Sequence, residues 1–448
     1  NKPQSAEQIA KSLTPDAWCE VAWREGVDKT LNSRFAVSGT SWFTLGGLIS
    51  TQPLEAALNQ GKAWQSAGPV WFRGQRVSFT SEPARDIDSF ERLIELYLKH
   101  LRWMYAKQVD GQIGLFGRMN AVCPAPLLSV FTKDCLDKGL DYYEGGPRYN
   151  VIAPCFTGLS TLIDSLWAIR ALVFDKSTAV TSLPELVEAL ICNWGQNMFE
   201  PFANVLEGPA RIEARAERFR RLREAAMALP RFGRGNREVD AFGDEIIGRI
   251  ARTAVEVLTD PAERTAAKML QLAQRLGTKE WPFGGFQIQP GVGSFENYLD
   301  WGNMSGASAD GRLSGDPLAS DLSPAPSFGD LPINPNEAPL LKVMEGYSGR
   351  GVEVMWDGAP TDFNIREDFP IEELERALVA FAAGRGASIM TITCANAETY
   401  EEAKRDPEKY DLLRARMGGW TEFFVTMFPA HQAQHERRAV ETAGGRHE

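Results

Sequence analysis

Two periodicities in this chain predict an α/β fold. From Asp86 to Lys107 apolar residues recur at helical spacing, at Phe90, Leu93, Leu96, Leu98, Leu101 and Met104. From Pro370 to Gly384, Ile371, Leu374, Leu378 and Phe381 form one stripe that ends at a glycine stop. Ala387 to Thr393 alternates instead and is rich in β-branched residues, as a strand does, and Val352 to Trp356 is a second strand candidate. A third observation bounds the size. The 448 residues, 44% hydrophobic and 24% charged, suffice for one large core or two domains.

The remaining elements follow in order. Residues 1–13 are polar and helix-prone, and residues 33–50, rich in Ser, Thr, Gly and aromatics, read as loop. Further helices are expected at 124–138, 159–174 and 183–193. Residues 209–229 are dense in Arg (Arg211, Arg215, Arg218, Arg220, Arg221 and Arg223) with interleaved Glu. Such a segment is either a partner-binding helix or a solvated face laced by i,i+4 pairs, and the interleaved signs fit the second better. Residues 236–277 continue helical, 278–340 are rich in Gly, Pro and Ser and read as loops, and Ala397 to Leu413 is helical. An aromatic tail follows, with Phe423, Phe424, Phe428 and a His431/His435 pair. Histidines four apart can share a metal. Here no Glu lies between them, Pro429 sits just before and no third ligand is evident, so packing at a surface or interface is the expectation.

Composition excludes several classes. A net charge of −11 argues against nucleic acid as a partner, and no apolar run reaches membrane length. Six cysteines, at 19, 123, 135, 155, 192 and 394, show neither a CxxC pair nor metal spacing, and most fall in apolar stretches where they pack as small hydrophobes. The polar Asn1-Lys2-Pro3-Gln4 carries no signal-peptide pattern, so a cytoplasmic protein without disulfides is expected.

The most telling stretch is Arg416-Met417-Gly418-Gly419-Trp420. Alone it also fits a tight Gly-Gly loop or helix cap. Other blocks accompany it: Pro124-Ala125-Pro126-Leu127-Leu128-Ser129 with Asp134-Cys135, Glu144-Gly145-Gly146-Pro147-Arg148-Tyr149-Asn150, the Asp164-Ser165-Leu166 core of 158–169, and Gly306-Ala307-Ser308-Ala309-Asp310-Gly311-Arg312 with Pro317-Leu318-Ala319. In this order they resemble the glycyl radical enzymes, the pyruvate formate-lyase-like family, over nearly the whole chain. The resemblance makes Gly419 the radical-bearing residue. Glycine suits that task because its α-carbon carries no side chain to shield it, and the flanking amide and carbonyl delocalise the spin.

The family resemblance implies a ten-stranded α/β barrel of two half-barrels, with helices outside and a C-terminal glycyl radical domain. All the blocks found here belong to the family's C-terminal half. The expectation is therefore a C-terminal half of a longer or split enzyme, with residues 1–345 in the barrel domain and 346–448 in the glycyl radical domain. Residues 209–229 would be an insertion. Half a barrel leaves apolar faces uncovered, so the missing N-terminal half or a homodimer partner is implied.

The resemblance also implies a cysteine thiyl that attacks substrate. Cys19 is the cysteine in the window upstream of Leu54–Asn59, and Glu20 is the acid/base candidate beside it. Members with a Cys-x-Glu motif place the Glu differently. Trp18-Cys19-Glu20-Val21 departs from that pattern, and aligning Trp23-Arg24-Glu25 to it would make Glu25 the acid/base and leave no thiyl residue. Trp420 and the Ala153–Ser160 loop look like those of the arylacetate (hydroxyphenylacetate and indoleacetate) decarboxylases. Arylalkylsuccinate synthase-type addition to fumarate, radical dehydration and a non-catalytic radical-domain subunit are the alternatives. Trp42, Phe43, Phe116 and Phe156 would line an aryl pocket or belong to the core. The implied partners are an activase using S-adenosylmethionine and an iron–sulfur cluster, and a small aromatic carboxylate as substrate. No cofactor would stay bound to the chain, and an anaerobic host is implied because oxygen cleaves the backbone at such a radical.

Overall fold

The computed structural model describes residues 40–64, 74–116, 119–198, 208–260, 286–294, 297–325, 339–355, 357–417, 420–438 and 440–441. The described residues begin with strand β1 (Thr40–Ile49), directly followed by helix α1 (Thr51–Leu58). The loop expected at 33–50 is thus a strand from Thr40 onward. Its Ser, Thr and Gly content is a poor local signal, but β1 pairs in parallel with β2 along its length, with an irregularity between Thr44 and Gly47 where the glycines fall.

Helix α2 (Phe90–Phe116) follows the expected stripe: Leu93, Leu96 and Leu101 are buried together with Tyr97, Tyr105 and Val109. The single helix expected at 124–138 is broken into α3 (Pro126–Phe131) and one turn at Cys135–Lys138. Asp134 between them takes a left-handed φ of 75° and pairs with Arg148 at 3.1 Å. Strand β2 (Tyr149–Thr157) then reaches Gly158, whose φ of 70° turns the chain into α4 (Leu159–Ile169), a helix with every residue buried. Helices α5 (Leu183–Ile191), α6 (Pro209–Met227) and α7 (Arg237–Thr259) follow, α5 capped by Ser182 and α7 by Asn236. The solvated-face reading of α6 holds only in part: Arg220 meets Glu213 and Glu217 at the surface, but Arg218 and Arg215 reach across to Glu185 and Glu188 of α5, and Arg223 is buried and donates to Gly311 O at 2.7 Å. The helix expected to run to 277 is described only as far as Thr259, because 261–285 lie outside the described residues.

Short strands β3 (Phe286–Ile288) and β4 (Gly291–Val292) both pair with β2 in parallel, and α8 (Tyr298–Asn303) and α9 (Leu340–Glu345) follow. The strand expected at 352–356 is instead overlapped by a helical turn, α10 (Arg350–Glu353). Tertiary contact decides this: Val352 N–H donates to Asp244 of α7 at 2.9 Å, and a Cβ on Gly351 would lie 1.8 Å from the Asp244 carbonyl oxygen. Strand β5 (Pro360–Ile365), α11 (Ile371–Ala383), β6 (Ile389–Cys394), α12 (Ala397–Arg405), the β7 (Arg414–Met417) and β8 (Trp420–Phe423) hairpin, α13 (Pro429–Glu436) and β9 (Val440–Glu441) complete the chain.

Two expectations here are corrected. The stripe on α11 is only half used, because Ile371 is 68% and Leu378 46% exposed, while Ala377 is buried and Leu374 and Phe381 pack on the core. The helix expected to run to Leu413 stops at Arg405, since Pro407 disfavours helical Asp406.

Strands β1 to β6 and β9 run parallel in two sheets joined by one bridge, while β7 and β8 form a separate antiparallel pair. β2 lies between β1 and β3/β4; a parallel bridge from Gly291 to Gly358, with Val292 N–H on Gly358 O at 2.9 Å, joins this first sheet to β5, which pairs with β6 and β9. Helices α2, α4 and α7 form a large core with Phe156 of β2 and Phe363 and Ile365 of β5. That core continues past residue 345 through Tyr347, Phe363 and Ala387.

Candidate functional site

Strands present alternate residues to opposite faces. Phe156 meets Tyr105 of α2, and Phe363 meets Tyr347, so these residues mark the face turned to the helices. Their neighbours look the other way, and they are polar: Cys155 and Thr157 on β2, Asp362 and Asn364 on β5, with Thr391 of β6 donating to the Asp362 carboxylate. A parallel sheet sandwiched between helices is normally apolar on both faces. This one is apolar on its helix side and polar on its inner side, although β5 is buried from end to end.

The inner face is crossed by a connected polar network. Arg438 donates from Nη2 to Asp362 Oδ2 at 2.9 Å, with both residues buried. Asp362 N–H donates to Ser323 Oγ at 3.0 Å. Two residues earlier, Asp321 accepts from Ser294 N–H at 2.8 Å and returns its own N–H to Ser294 Oγ at 2.8 Å. Asp321 holds a left-handed φ of 48°, an uncommon conformation for a residue with a side chain. Burial first, and the nearby Asp362 charge second, raise its carboxyl above the usual range. Beside it the Cys155 thiol donates to Gly293 O at 3.3 Å and is pushed up to about 12 by burial, so it stays protonated. Asn364 donates to His435 O at 3.3 Å, which seats α13 on this face. His435 is fully buried and neither ring nitrogen has a hydrogen-bond partner among the described residues; burial pushes its pKa far down and keeps it neutral.

The β7–β8 hairpin stands at the edge of this face. Its antiparallel ladder runs from Arg414↔Phe423 at the base to Met417↔Trp420, the pair that brackets Gly418 and Gly419. The base is rooted in a small separate core of Ala395, Tyr400, Ala403, Ala415, Phe424 and Met427, with Tyr400 and Phe424 rings 4.7 Å apart. Nearer the tip, Arg438 Nη1 donates to Arg416 O at 3.3 Å.

A second buried network lies under α4. Three polar residues of α4 hold the 306–322 loop: Ser160 Oγ donates to Leu322 O at 3.1 Å, Thr161 Oγ1 accepts Ala319 N–H at 3.0 Å, and Ser165 Oγ reaches Asp310 at 3.4 Å. Arg231 spans Asp164 at 3.5 Å and Asp310 at 3.3 Å. Arg312 ties the loop to itself through Ser308, Gly306, Leu313 and Asp316. Gly306 is required because a Cβ there would lie 2.2 Å from the Trp64 ring. The two sequence blocks at 158–169 and 306–312 are therefore the two halves of one structural joint.

Of the residues singled out in the sequence, Cys19, Glu20, Glu25, Gly418 and Gly419 lie outside the described residues, as do the side chains of Trp42, Phe43, Phe116 and Trp420. Phe156 is a core residue on the helix side, the second of the two placements left open for it. His431 bonds Tyr298 OH at 2.8 Å, while His435 faces the buried network, so the pair is split between two environments. Among the described residues no group of three or more His, Cys, Asp or Glu is placed to hold a metal, and no helix is long and apolar enough to cross a membrane. Asp321, Asp362, Arg438 and Cys155 were not anticipated as site residues. The available signal was the alternation in Thr361-Asp362-Phe363-Asn364-Ile365, which reads as a strand with one polar face.

A family model described as pyruvate formate lyase-like matches residues 35–274. The chain is 36% identical over 115 residues to trans-4-hydroxy-L-proline dehydratase of Clostridioides difficile, which covers 26% of this chain and 14% of that protein. It is 21% identical over 430 residues to the 4-hydroxyphenylacetate decarboxylase glycyl radical subunit of the same species, 86% of this chain and 43% of the relative. The solved structure of C. difficile hydroxyproline dehydratase superposes with a TM-score of 0.69 at 20% identity, covering 90% of this chain and 44% of that one. The shared fold bears out the expected α/β barrel architecture, and the chain spans less than half the length of the relatives it matches.

Proposed function

The chain belongs to the pyruvate formate lyase-like family, and on that premise we propose that it supplies the radical-bearing C-terminal half of a glycyl radical lyase. The observation that supports the reading is the Met417–Trp420 pair, which closes a hairpin beside the polar inner face of the sheet and between whose residues Gly418 and Gly419 fall in the sequence. In this reading a partner activase, using S-adenosylmethionine and an iron–sulfur cluster, removes a hydrogen atom from the Gly419 α-carbon. The Gly419 radical takes the hydrogen atom of the Cys19 thiol. The thiyl then takes one from substrate, the substrate radical eliminates its leaving group, and the product radical recovers the hydrogen from Cys19. Glu20 gives the leaving group its proton and takes back the one that the substrate radical releases as its new double bond forms, so the carboxyl ends the turnover as it began. Residues 346–448 carry the radical loop together with β5, β6 and β9, and residues 1–345 supply β1 to β4.

Elimination of water from a small hydroxylated substrate is the reading we favour. The inner face carries Cys155, Thr157, Asp362 and Asn364, groups that suit a polar substrate, and a dehydratase is 36% identical over its matched stretch. Arylacetate decarboxylation is the second reading. It is supported by the 430-residue alignment with a decarboxylase subunit and by the resemblance of Ala153–Ser160 and Trp420, and weakened by Phe156 standing on the core side.

Anaerobic incubation with an activase, S-adenosylmethionine and reductant, followed by electron paramagnetic resonance, tests the shared reading. A doublet is expected in the wild type and none in Gly419→Ala. A doublet that persists in the variant would remove Gly419 from the mechanism. Consumption of hydroxyproline or a diol, against carbon dioxide release from hydroxyphenylacetate, then separates the two reactions.

A further inference from the structure

We infer that Arg438 is the positioning residue that fixes the Gly419 hairpin against the inner face, an inference that rests on the radical reading of Gly419. The hairpin's own bonds give it shape but not place. Its ladder pairs β7 with β8, Arg416 Nη1 bonds Thr421 Oγ1 at 2.8 Å, Phe424 N–H closes on Leu413 O at 2.8 Å, and Ala415 and Phe424 pack into the small core beside α12. Those contacts, with the packing of β7 beside β6, hold the lower part of the hairpin or run within it. A hairpin held in its lower part can still pivot, and a small displacement there grows toward the tip.

Arg438 acts nearer the tip. Its guanidinium bonds Arg416 O at 3.3 Å with one Nη and the Asp362 carboxylate at 2.9 Å with the other, so it joins β7 to the middle of β5. Asp362 is itself held from two other directions, by Thr391 of β6 and by its own N–H on Ser323 Oγ at 3.0 Å. The anchor is therefore fixed to the sheet, and the arginine transmits that position one residue short of the Met417–Trp420 pair. Only 8% of Arg438 is exposed, so its ion pair is shielded from water and salt. The planar fork matters: a guanidinium can serve a carboxylate and a carbonyl in two fixed directions at once, whereas an ammonium is a point charge on a shorter reach.

Hydrogen–deuterium exchange on the full chain tests this with Arg438→Met and Arg438→Lys. The Met variant is expected to raise exchange in the 412–425 peptides by roughly tenfold or more while the α4 peptides keep their protection. The Lys variant retains the charge and is expected to lie between the Met variant and the wild type. Equal protection of the hairpin in wild type and both variants would overturn the inference, as would a parallel rise in the hairpin and α4, which marks general destabilisation. Should the Met variant not fold, the Lys variant decides on the same comparison. In the activated protein the radical doublet of either variant is expected to decay faster than that of the wild type. Absence of a doublet in the wild type would sink the radical reading alone; an unchanged hairpin with a normal doublet would sink the positioning role alone.

Discussion

The loop from Gly306 to Ser323 belongs to two buried polar networks at once, and they are built differently. At its start, Asp310 and Arg312 join Ser165, Asp164 and Arg231 under α4. At its end, Asp321 and Ser323 join Ser294, Asp362 and Arg438 on the inner face of the sheet. The first network links helices and a loop of one packed body, and its acceptors are shared among several donors. The second crosses from the sheet to the C-terminal hairpin, contains a residue at φ 48°, and sits beside a buried imidazole and an Asn364 Oδ1 without partners among the described residues. Buried polar groups are costly unless satisfied, so a network that tolerates strain and incomplete pairing is where a protein gives up stability for another purpose. The first network is architecture; the second is the place to look for chemistry.

The sharpest way to break this distinction is to cut one member of each. Asp310→Ala leaves Arg231 and Arg312 facing a buried gap, and removing one partner of a buried ion pair costs about 3–5 kcal/mol. Urea denaturation is expected to show one cooperative transition at a much lower midpoint. Arg438→Met also leaves a buried carboxylate, Asp362, without its cation, so its midpoint is expected to fall as well, and the variants are told apart by where exchange rises first: in the hairpin for Arg438→Met and around α4 for Asp310→Ala. The same exchange pattern in both variants would mean that both networks are architectural.

A pH titration of stability, compared between the wild type and an Asp240 variant, isolates the architectural side, because the raised carboxyl of Asp321 contributes equally to both. The turn at Arg231–Gly233 hangs on two carboxylates: Asp164 accepts Phe232 N–H and Asp240 accepts Gly233 N–H, each at 2.8 Å. Burial pushes Asp240 up to about 6 from an ordinary 3.8, with the Gly233 bond and Lys342 opposing it. A carboxyl whose pKa is raised by folding stabilises the fold in its protonated form. That contribution is complete below the unfolded pKa of 3.8 and is lost as pH rises through about 6. Asp240→Asn keeps an acceptor for Gly233 but cannot ionise, so its stability is expected to fall less between pH 4 and 6 by an amount on the order of 1–3 kcal/mol. Hairpin exchange in 412–425, corrected for intrinsic rates, is expected not to follow this titration. A hairpin that loosens in step with Asp240 would tie the two networks into one.

Much of the architectural network was legible in the sequence, and little of the other. The blocks at 158–169 and 306–312 stand out because each is a compact run of special residues; what the sequence does not display is that they bond to one another. Helices α2, α5 and α6 follow their apolar or charged periodicity because that signal is local. Strand β1 was missed since its pairing with β2 joins residues 109 apart, as Thr40 and Tyr149 do, and nothing local announces it. The same holds for Asp362 and Arg438, which are separated by 76 residues. The α11 stripe is periodic as expected yet half exposed, because periodicity tells which residues share a face but not how much of that face is covered.

The smallest expected effect comes from a third set of charges that resembles a network only on paper. Arg220 on α6 contacts Glu213 and Glu217, yet all three side chains are open to solvent, at 37%, 72% and 48% exposure. Water already solvates each partner, salt screens their attraction, and ordering two long side chains costs entropy that the contact barely offsets. Arg220→Ala is therefore expected to leave the urea midpoint, the hairpin exchange and the radical doublet where they were. The outcome bears on how the whole chain is read. Arginine is abundant in all three places, but only where it is withdrawn from water, as at Arg231 and Arg438, does its partner decide stability or position. A measurable loss in Arg220→Ala would mean that α6 is covered in the assembled protein and would revive the reading of its arginine-rich face as a partner surface.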